Sequence, residues 1–422
     1  MSHVTFADVV HQSVTFSKKD PAEALILALL DTRWVQRLRD VSQTANTRLV
    51  YMFSEHSRFG HSLGVAYLAK LLLDKLSIKF PRDVELFKPA ILVAGLLHDV
   101  GHLAPGSHTA FKTWFPGQED SHESLAVKVL NGDEEIVSLI DGYSNELRKT
   151  VAAILAEDTF VPPWTWQSVS GGGWNVDRGN WSVVDSVLAG VSYGKYNIPA
   201  LVESIVITEE KELALMENRL DSMMHFIVSR HAMYRQVYQH RVLLAADTIN
   251  RAIVQRAREL GPTVVNADPT MKSALLAESV DSLSLSDIFR MREPWWRYHL
   301  MCWRDGNDSI LADLSDRLLH RRLFKTVRIK SDDNREELLQ ECARLCTQQG
   351  FDPRYYLHEV TASNVHSGDT KQSMLVQLDD GSVITLSEAD PLFQAMVSAS
   401  RFSNRSWIVI PNEVKITLGR HR

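Results

Sequence analysis

Apolar and polar positions along the first 330 residues or so follow a helical period. Leu63, Val65, Leu68, Leu71, Leu72 and Leu76 recur at three- and four-residue spacing and predict a helix with a wide apolar stripe. Residues 84–100 are more uniformly apolar and predict a central, buried helix. Upstream, Asp20-Pro21 is an N-cap followed by a proline at the first helical position, so a helix is expected over 22–30. Asp31-Thr32 restarts a second helix through Val41. Pro105, Gly106, Pro116 and Gly117 punctuate the segment beyond the central helix. Residues 160–175 hold Pro162-Pro163, Trp164, Trp166 and Gly171-Gly172-Gly173 and read as a loop. Helix returns near Val176 and from about Ile198. Residues 213–258 read as a long helical run, and 274–281, 286–292, 294–304 and 309–319 as shorter helices.

After Lys330 the period changes. Residues 376–386 alternate, turn at Asp380-Gly381 and alternate again, which predicts a hairpin. Residues 335–348 read as a helix, and 407–410 and 413–418 as two more strands around Pro411-Asn412. The expected fold class is therefore mainly α: a helical domain over 1–330 and a smaller C-terminal α+β domain over 331–422.

Composition narrows the class. The chain has 422 residues, 45% hydrophobic and 23% charged, with a formal net charge of −6. That excludes a wholly disordered chain and a whole-surface nucleic-acid binder, while leaving room for a local basic pocket. Cys302, Cys342 and Cys346 are odd in number and confined to the last third, which reads as buried thiols in a reducing compartment. Residues 1–20 carry no basic start followed by an apolar run, and the longest apolar stretches fall far short of the ~20 residues a membrane span needs. A cytoplasmic protein with no membrane contact is expected.

The candidate chemistry lies in the histidines. His61, His98, His102, His108 and His122 fall in one N-terminal block beside Asp99. Leu96-Leu97-His98-Asp99-Val100-Gly101-His102 places ionisable groups directly after an apolar run. A buried ionisable cluster is costly unless paired or metal-bound. Neutral imidazoles with carboxylates suit Mn, Fe, Co, Ni or Zn better than calcium. Such an ion makes a hydroxide available near neutral pH and polarises a phosphoryl oxygen. His108 and His122 are then free as general acids.

Arg58-Phe59-Gly60-His61-Ser62-Leu63-Gly64-Val65, then His98-Asp99-Val100-Gly101-His102, then Asp177-Arg178 resemble the HD-domain phosphohydrolases. The resemblance is closest to the deoxynucleoside triphosphate triphosphohydrolase branch, which includes bacterial dGTPases and the SAM-and-HD-domain enzyme. It extends over about residues 20–330, through Asp31-Thr32, Gln36-Arg37-Leu38-Arg39, Asp185-Ser186 and Arg321-Arg322-Leu323-Phe324-Lys325. It implies an HD-domain helical bundle with His61, His98, Asp99 and Asp177 as metal ligands and His102, His108 and His122 as active-site histidines. Arg58, Arg178 and Arg230 would contact the triphosphate, whose charge would also bring Mg. Gln43 and Asp185 would meet the sugar 3′-hydroxyl, Tyr238 would pack where a 2′-hydroxyl would sit, and Trp181 takes the place of a substrate-stacking tyrosine. The implied reaction releases a deoxynucleoside and inorganic triphosphate.

In regulated members of that branch, the positions of Asp31, Gln36, Arg39, Arg321 and Lys325 bind an allosteric nucleotide at a subunit interface. The resemblance thus implies a regulatory nucleotide and a homo-oligomer, tetramer or hexamer, and leaves single-stranded DNA open as a partner. The chain departs from the pattern at Thr109-Ala110-Phe111-Lys112, where members carry an acid that Glu119 or Asp120 would have to replace. It departs again at Asn180-Trp181, usually Asp-Tyr, and at Val184, usually Arg. Two alternatives stand beside this reading: another HD phosphohydrolase acting on a nucleoside monophosphate or a cyclic or signalling nucleotide, and a non-catalytic nucleotide sensor.

Overall fold

The computed structural model describes residues 2–106, 109–362, 374–400 (side chains through 396) and 405–418. The architecture is mainly α. Its centre is an antiparallel pair, helices Arg58–Leu76 and Pro81–Leu97, which are in extensive contact. Every residue from Ala90 to Leu97 is buried, so the second half of this helix is apolar all round because it is covered all round. Pro81 starts it and His98 ends it. Helix Pro21–Leu30, capped by the Asp20 carboxylate on the amides of Ala22 and Glu23, packs against its outer side. Helix Val176–Leu188 lies against Arg58–Leu76. Among the described residues no helix is long and apolar enough to cross a membrane.

Among the described residues three small sheets decorate the helices. Residues His3–Asp8 and Gln12–Ser17 form an N-terminal hairpin, which was not among the expected elements. Strands Lys325–Arg328 and His358–Ala362 flank Arg405–Ile410, antiparallel on both sides. With helix Arg335–Gln348 they enclose a second core of Val327, Leu338, Cys342, Leu345, Cys346, Ile408, Ile410 and Val414. There the two cysteines are buried apolar thiols, and burial pushes Cys346 up to about 11. The expected hairpin is present as Leu375–Gln377 and Val383–Thr385, but it does not join that unit. It extends the pair Ile205–Ile207 and Leu213–Met216, with Ala214 beside Leu375 in parallel register.

Three local expectations are corrected. The 160–175 loop contains a helix, Pro163–Val169, which the second proline starts and whose Trp164 is fully buried. The 213–258 run is not continuous helix. Leu213–Met216 is a strand, and the helices Leu220–Met233 and Arg241–Leu260 are separated by one π-helical turn at Tyr234–Tyr238. A four-residue apolar run carries no period to tell strand from helix. Residues 413–418 lie in a helix, Asn412–Leu418, because Val414 is drawn into the second core.

Candidate functional site

The buried end of helix Pro81–Leu97 fixes where His98 and Asp99 lie. His98 donates from Nδ1 to the Gly95 carbonyl at 2.9 Å, which leaves Nε2 with a lone pair in the neutral ring. That Nε2 is buried without a hydrogen-bond partner and faces Asp99 Oδ1 at 3.4 Å and Asp177 Oδ1 at 3.5 Å. An acceptor aimed at two carboxylates is repulsive unless a proton or a cation lies between them. Burial works against a proton there, yet the two carboxylates outweigh it and push His98 up to about 9.

His61 completes the group. Its Nδ1 donates to Asn180 Oδ1 at 2.9 Å, and its Nε2 stands 3.0 Å from Asp177 Oδ1 and 3.6 Å from Asp99 Oδ2. Two donors about 2.1 Å from one ion lie about 3.0 Å apart at right angles and about 3.4 Å apart at the tetrahedral angle. The four side chains therefore converge at coordination spacing, and their donor set fits a divalent transition metal. Both carboxylates are held well below the usual range although burial opposes it, Asp99 by Arg58, His98 and His102, and Asp177 by His61 and His98. Arg58 Nη1 donates to Asp99 Oδ2 at 2.6 Å.

Asp99 also faces His102, with Nε2 3.2 Å from Oδ1. Asp99, His102 and His122 form a second group close enough to hold a cation. The His102 and His122 rings stack at 4.0 Å. Burial, with Arg58 and His122 nearby, pushes His102 well below its ordinary value. His122 goes the other way. Burial opposes its charge, but the bond from Nδ1 to Asp120 Oδ1 at 2.9 Å raises it. Asp120 thus partners His122, while Glu119 is exposed and paired with Lys112. Phe111, at the position where an acid was expected, is a fully buried core residue. His108 lies outside the described residues.

Arg37 braces this segment from behind. Its buried guanidinium donates to the carbonyls of Val100, His102, Ile288, Phe289 and Met291 at 2.8–3.3 Å.

The cluster opens onto a cavity of about 380 Å³, within the range of small-molecule sites. The cavity brings together Arg58, Arg178, Arg230, Gln43, Trp181, Asp185 and Tyr238, all seven of the expected substrate contacts. Arg178 lies in the first turn of helix Val176–Leu188, its amide on Asn175 Oδ1 and its guanidinium on the Gly172 carbonyl of the glycine-rich turn. Burial and the neighbouring Arg230 both depress Arg178, an arrangement that suits an anionic ligand. Trp181, Tyr234 and Tyr238 meet edge-on, with centroids 5.2–6.0 Å apart. Tyr238 donates to Asp185 Oδ2 at 2.5 Å, and His56 Nε2 meets Asp185 Oδ1 at 2.8 Å. Gln43 Oε1 and Arg230 Nε are buried without partners.

Sequence reasoning missed His56 and Thr44, and gave no role to Tyr234 or to Asn180 as the acceptor for His61. His56 stands two residues before Arg58, which was a usable signal. The contact between Asn180 and His61 had none, since the fold alone makes it.

The residues expected to bind a regulatory nucleotide fall in two places. Arg321 and Lys325, with Arg241 and Lys415, line a separate pocket of about 260 Å³. Gln36 and Arg39 bond each other, Arg39 lies 3.6 Å over the Phe59 ring, and Asp31 is exposed at the end of helix Pro21–Leu30.

The helical bundle thus presents a convergent His, His-Asp, Asp group that could hold a metal ion beside an arginine-walled cavity. Residues 58–182 match the HD domain. The chain is 28% identical over 410 residues to the uncharacterized protein YwfO of Bacillus subtilis, covering 95% of this chain and 90% of that one. It is 27% identical over 229 residues to the deoxynucleoside triphosphate triphosphohydrolase SAMHD1 homolog of Dictyostelium discoideum, covering 51% of this chain but only 43% of that protein. Its fold matches a crystal structure of a phosphohydrolase from Bacteroides thetaiotaomicron with a TM-score of 0.79 and 21% identity, over 97% of this chain and 99% of the other.

Proposed function

We propose that the protein hydrolyses deoxynucleoside triphosphates to a deoxynucleoside and inorganic triphosphate. The observation that carries this reading is the union of a metal-fitted His/Asp group with three arginines and an aromatic wall in one cavity. In it His61, His98, Asp99 and Asp177 hold the ion. A bound divalent ion supplies a water of lowered pKa and polarises a phosphoryl oxygen.

The side chains account for the rest. Arg58, Arg178 and Arg230 answer a polyphosphate with planar guanidinium forks, and Mg accompanies the substrate. Oxygen from water bonds to the α-phosphorus, with one of the water's protons leaving to solvent, as the bond to O5′ breaks. The 5′-alkoxide is a poor leaving group, and His122, whose protonated form the bond to Asp120 favours against burial, gives it a proton. Asp185 has one oxygen on His56 and the other on Tyr238, and the remaining lone pairs accept the sugar 3′-hydroxyl together with Gln43. The Tyr238 ring, pinned by that bond, excludes a 2′-hydroxyl, which would be buried without a partner. Trp181 stacks on the substrate. His102, neutral and bonded to Asp99, orients that carboxylate.

The cationic pocket of Arg241, Arg321, Lys325 and Lys415 takes the phosphates of a regulatory nucleotide between copies of a homo-oligomer. Product identity tests the reading. Each deoxynucleoside triphosphate, alone and mixed, is incubated with Mn²⁺ or Mg²⁺ and the products are separated by ion-pair chromatography. Nucleoside plus triphosphate, lost in Asp99→Ala, is expected, and activity only in mixtures marks regulation. Diphosphate or monophosphate products would move the protein to another HD branch.

A further inference from the structure

The N-terminal hairpin reaches the metal-type site through one amide. His61 Nδ1 and His11 Nε2 lie on the two ends of the Asn180 side chain, 2.9 Å from Oδ1 and 3.4 Å from Nδ2. Asn180 is fully buried. Gly64 gives it room: a Cβ at that position would come within 2.5 Å of Asn180 Nδ2. His11 is held from several sides. Its amide bonds Asp8 Oδ1 at 2.6 Å, and its ring meets Tyr67 edge-on at 5.2 Å. The next residue, Gln12, takes a left-handed turn conformation with φ of 62°. Burial lowers His11 from its ordinary value, against the pull of Asp8, so the ring stays neutral and keeps an acceptor nitrogen.

The proton positions form a closed sequence. For His61 to offer Nε2 to an ion, its proton must sit on Nδ1. That proton needs an acceptor, so Asn180 must present Oδ1 to it. The Nδ2 of Asn180 then points at His11, which must accept at Nε2. Were the amide reversed, two donors would face each other at His61. An asparagine, unlike an aspartate, can be turned either way. It needs something on its far side to choose.

We propose that His11 is a positioning residue for the metal site: by accepting from Asn180 it fixes the amide that fixes the tautomer of His61. This rests on His61 being a metal ligand. The test is Mn²⁺ affinity of the full-length, metal-stripped protein, by calorimetry and by electron paramagnetic resonance of free Mn²⁺. Asn180→Leu is expected to bind about 10- to 100-fold more weakly, as for other groups orienting a ligand. His11→Leu should bind about three- to tenfold more weakly, an effect smaller by one step of removal. His11→Gln, whose side-chain carbonyl can accept the same bond, should return to within about twofold of the native protein. In the Asn180→Leu background, His11→Leu should add nothing.

Native-like affinity in His11→Leu, equal loss in His11→Gln, or an additive loss in the double variant would each overturn the proposal. Thermal melts of the same samples separate these results from unfolding. Failure of the native protein itself to bind Mn²⁺ would overturn the metal assignment, a different result from native binding that ignores His11.

Discussion

Replacing Arg37 by methionine tests how the histidine-bearing segment is held in place. The guanidinium is 2% exposed and has carbonyls, not carboxylates, for its five partners. Burial, with Arg292 nearby, lowers it from 12.5 to about 9, so it is charged at neutral pH. That drop is a net preference of about 5 kcal/mol against the charged form, set by burial and the repulsion of Arg292. The carbonyls, three of them sharing the two N–H groups of Nη2, are what hold the charge in place. Methionine fills a similar volume but leaves carbonyls dry, at about 1 kcal/mol or more for each one not rescued by another donor. The expected loss is about 3–5 kcal/mol, as when one partner of a buried charged contact is removed. Urea unfolding followed by circular dichroism measures it. Arg37→Lys should fall between, because an ammonium has three donors where the guanidinium has five. Since Val100 and His102 supply two of the carbonyls, Mn²⁺ affinity should drop in parallel. A methionine variant within about 1 kcal/mol of native, or above it, would refute the account: the charge would then be a tolerated cost and not a brace.

Three further outcomes are expected. His122 is raised by Asp120, so a general acid at His122 stays protonated to a pH above its ordinary value and activity falls as pH rises through that point. Asp120→Asn should move the alkaline limb of kcat/KM to lower pH, and an unmoved limb would remove His122 from that role. Asp247, whose carboxylate accepts from Asn46 at 2.8 Å, is pushed by burial up to about 6 from 3.8. A raised carboxyl favours the native state when protonated, and that stability is lost as pH rises from about 4 through 6. Asp247→Asn keeps the Asn46 bond and, after allowance for partial solvent access, should gain about 1–2 kcal/mol at pH 7.5 and little at pH 4.5. Equal gains at both pH values would contradict this. Gly101 has no room for a side chain, since a Cβ would lie 2.1 Å from the His122 carbonyl oxygen and 2.9 Å from the Ala126 amide. Gly101→Ala should cost about 3 kcal/mol or more in unfolding and displace His122, and a native-like melting temperature would show the helix yields freely.

The central helices and the His98-Asp99 motif were legible because an unbroken apolar run ending in ionisable residues has few structural explanations. The arginines and aromatics of the cavity were legible only through resemblance, since Arg58, Arg178 and Arg230 lie on separate elements that no spacing rule connects. Asn180 shows the opposite case. At sequence level it was a departure from a pattern, and its meaning came from a contact with His61, 119 residues away. The N-terminal hairpin was missed for a different reason. Its strands do alternate, Val4 and Phe6 in one and Val14 and Phe16 in the other standing between polar residues, a period-two signal that could have been read.

The parallel pairing of Ala214 with Leu375 sets an order for biosynthesis. Strand Leu213–Met216 leaves the ribosome long before its second neighbour exists, and at 5–20 residues per second the interval is on the order of ten seconds or more. During that time one side of an apolar strand has unsatisfied backbone groups, a template for pairing with another nascent chain. A helper that shields the strand during translation, or slow codons placed after it, would matter more to the yield of this protein than to its final stability.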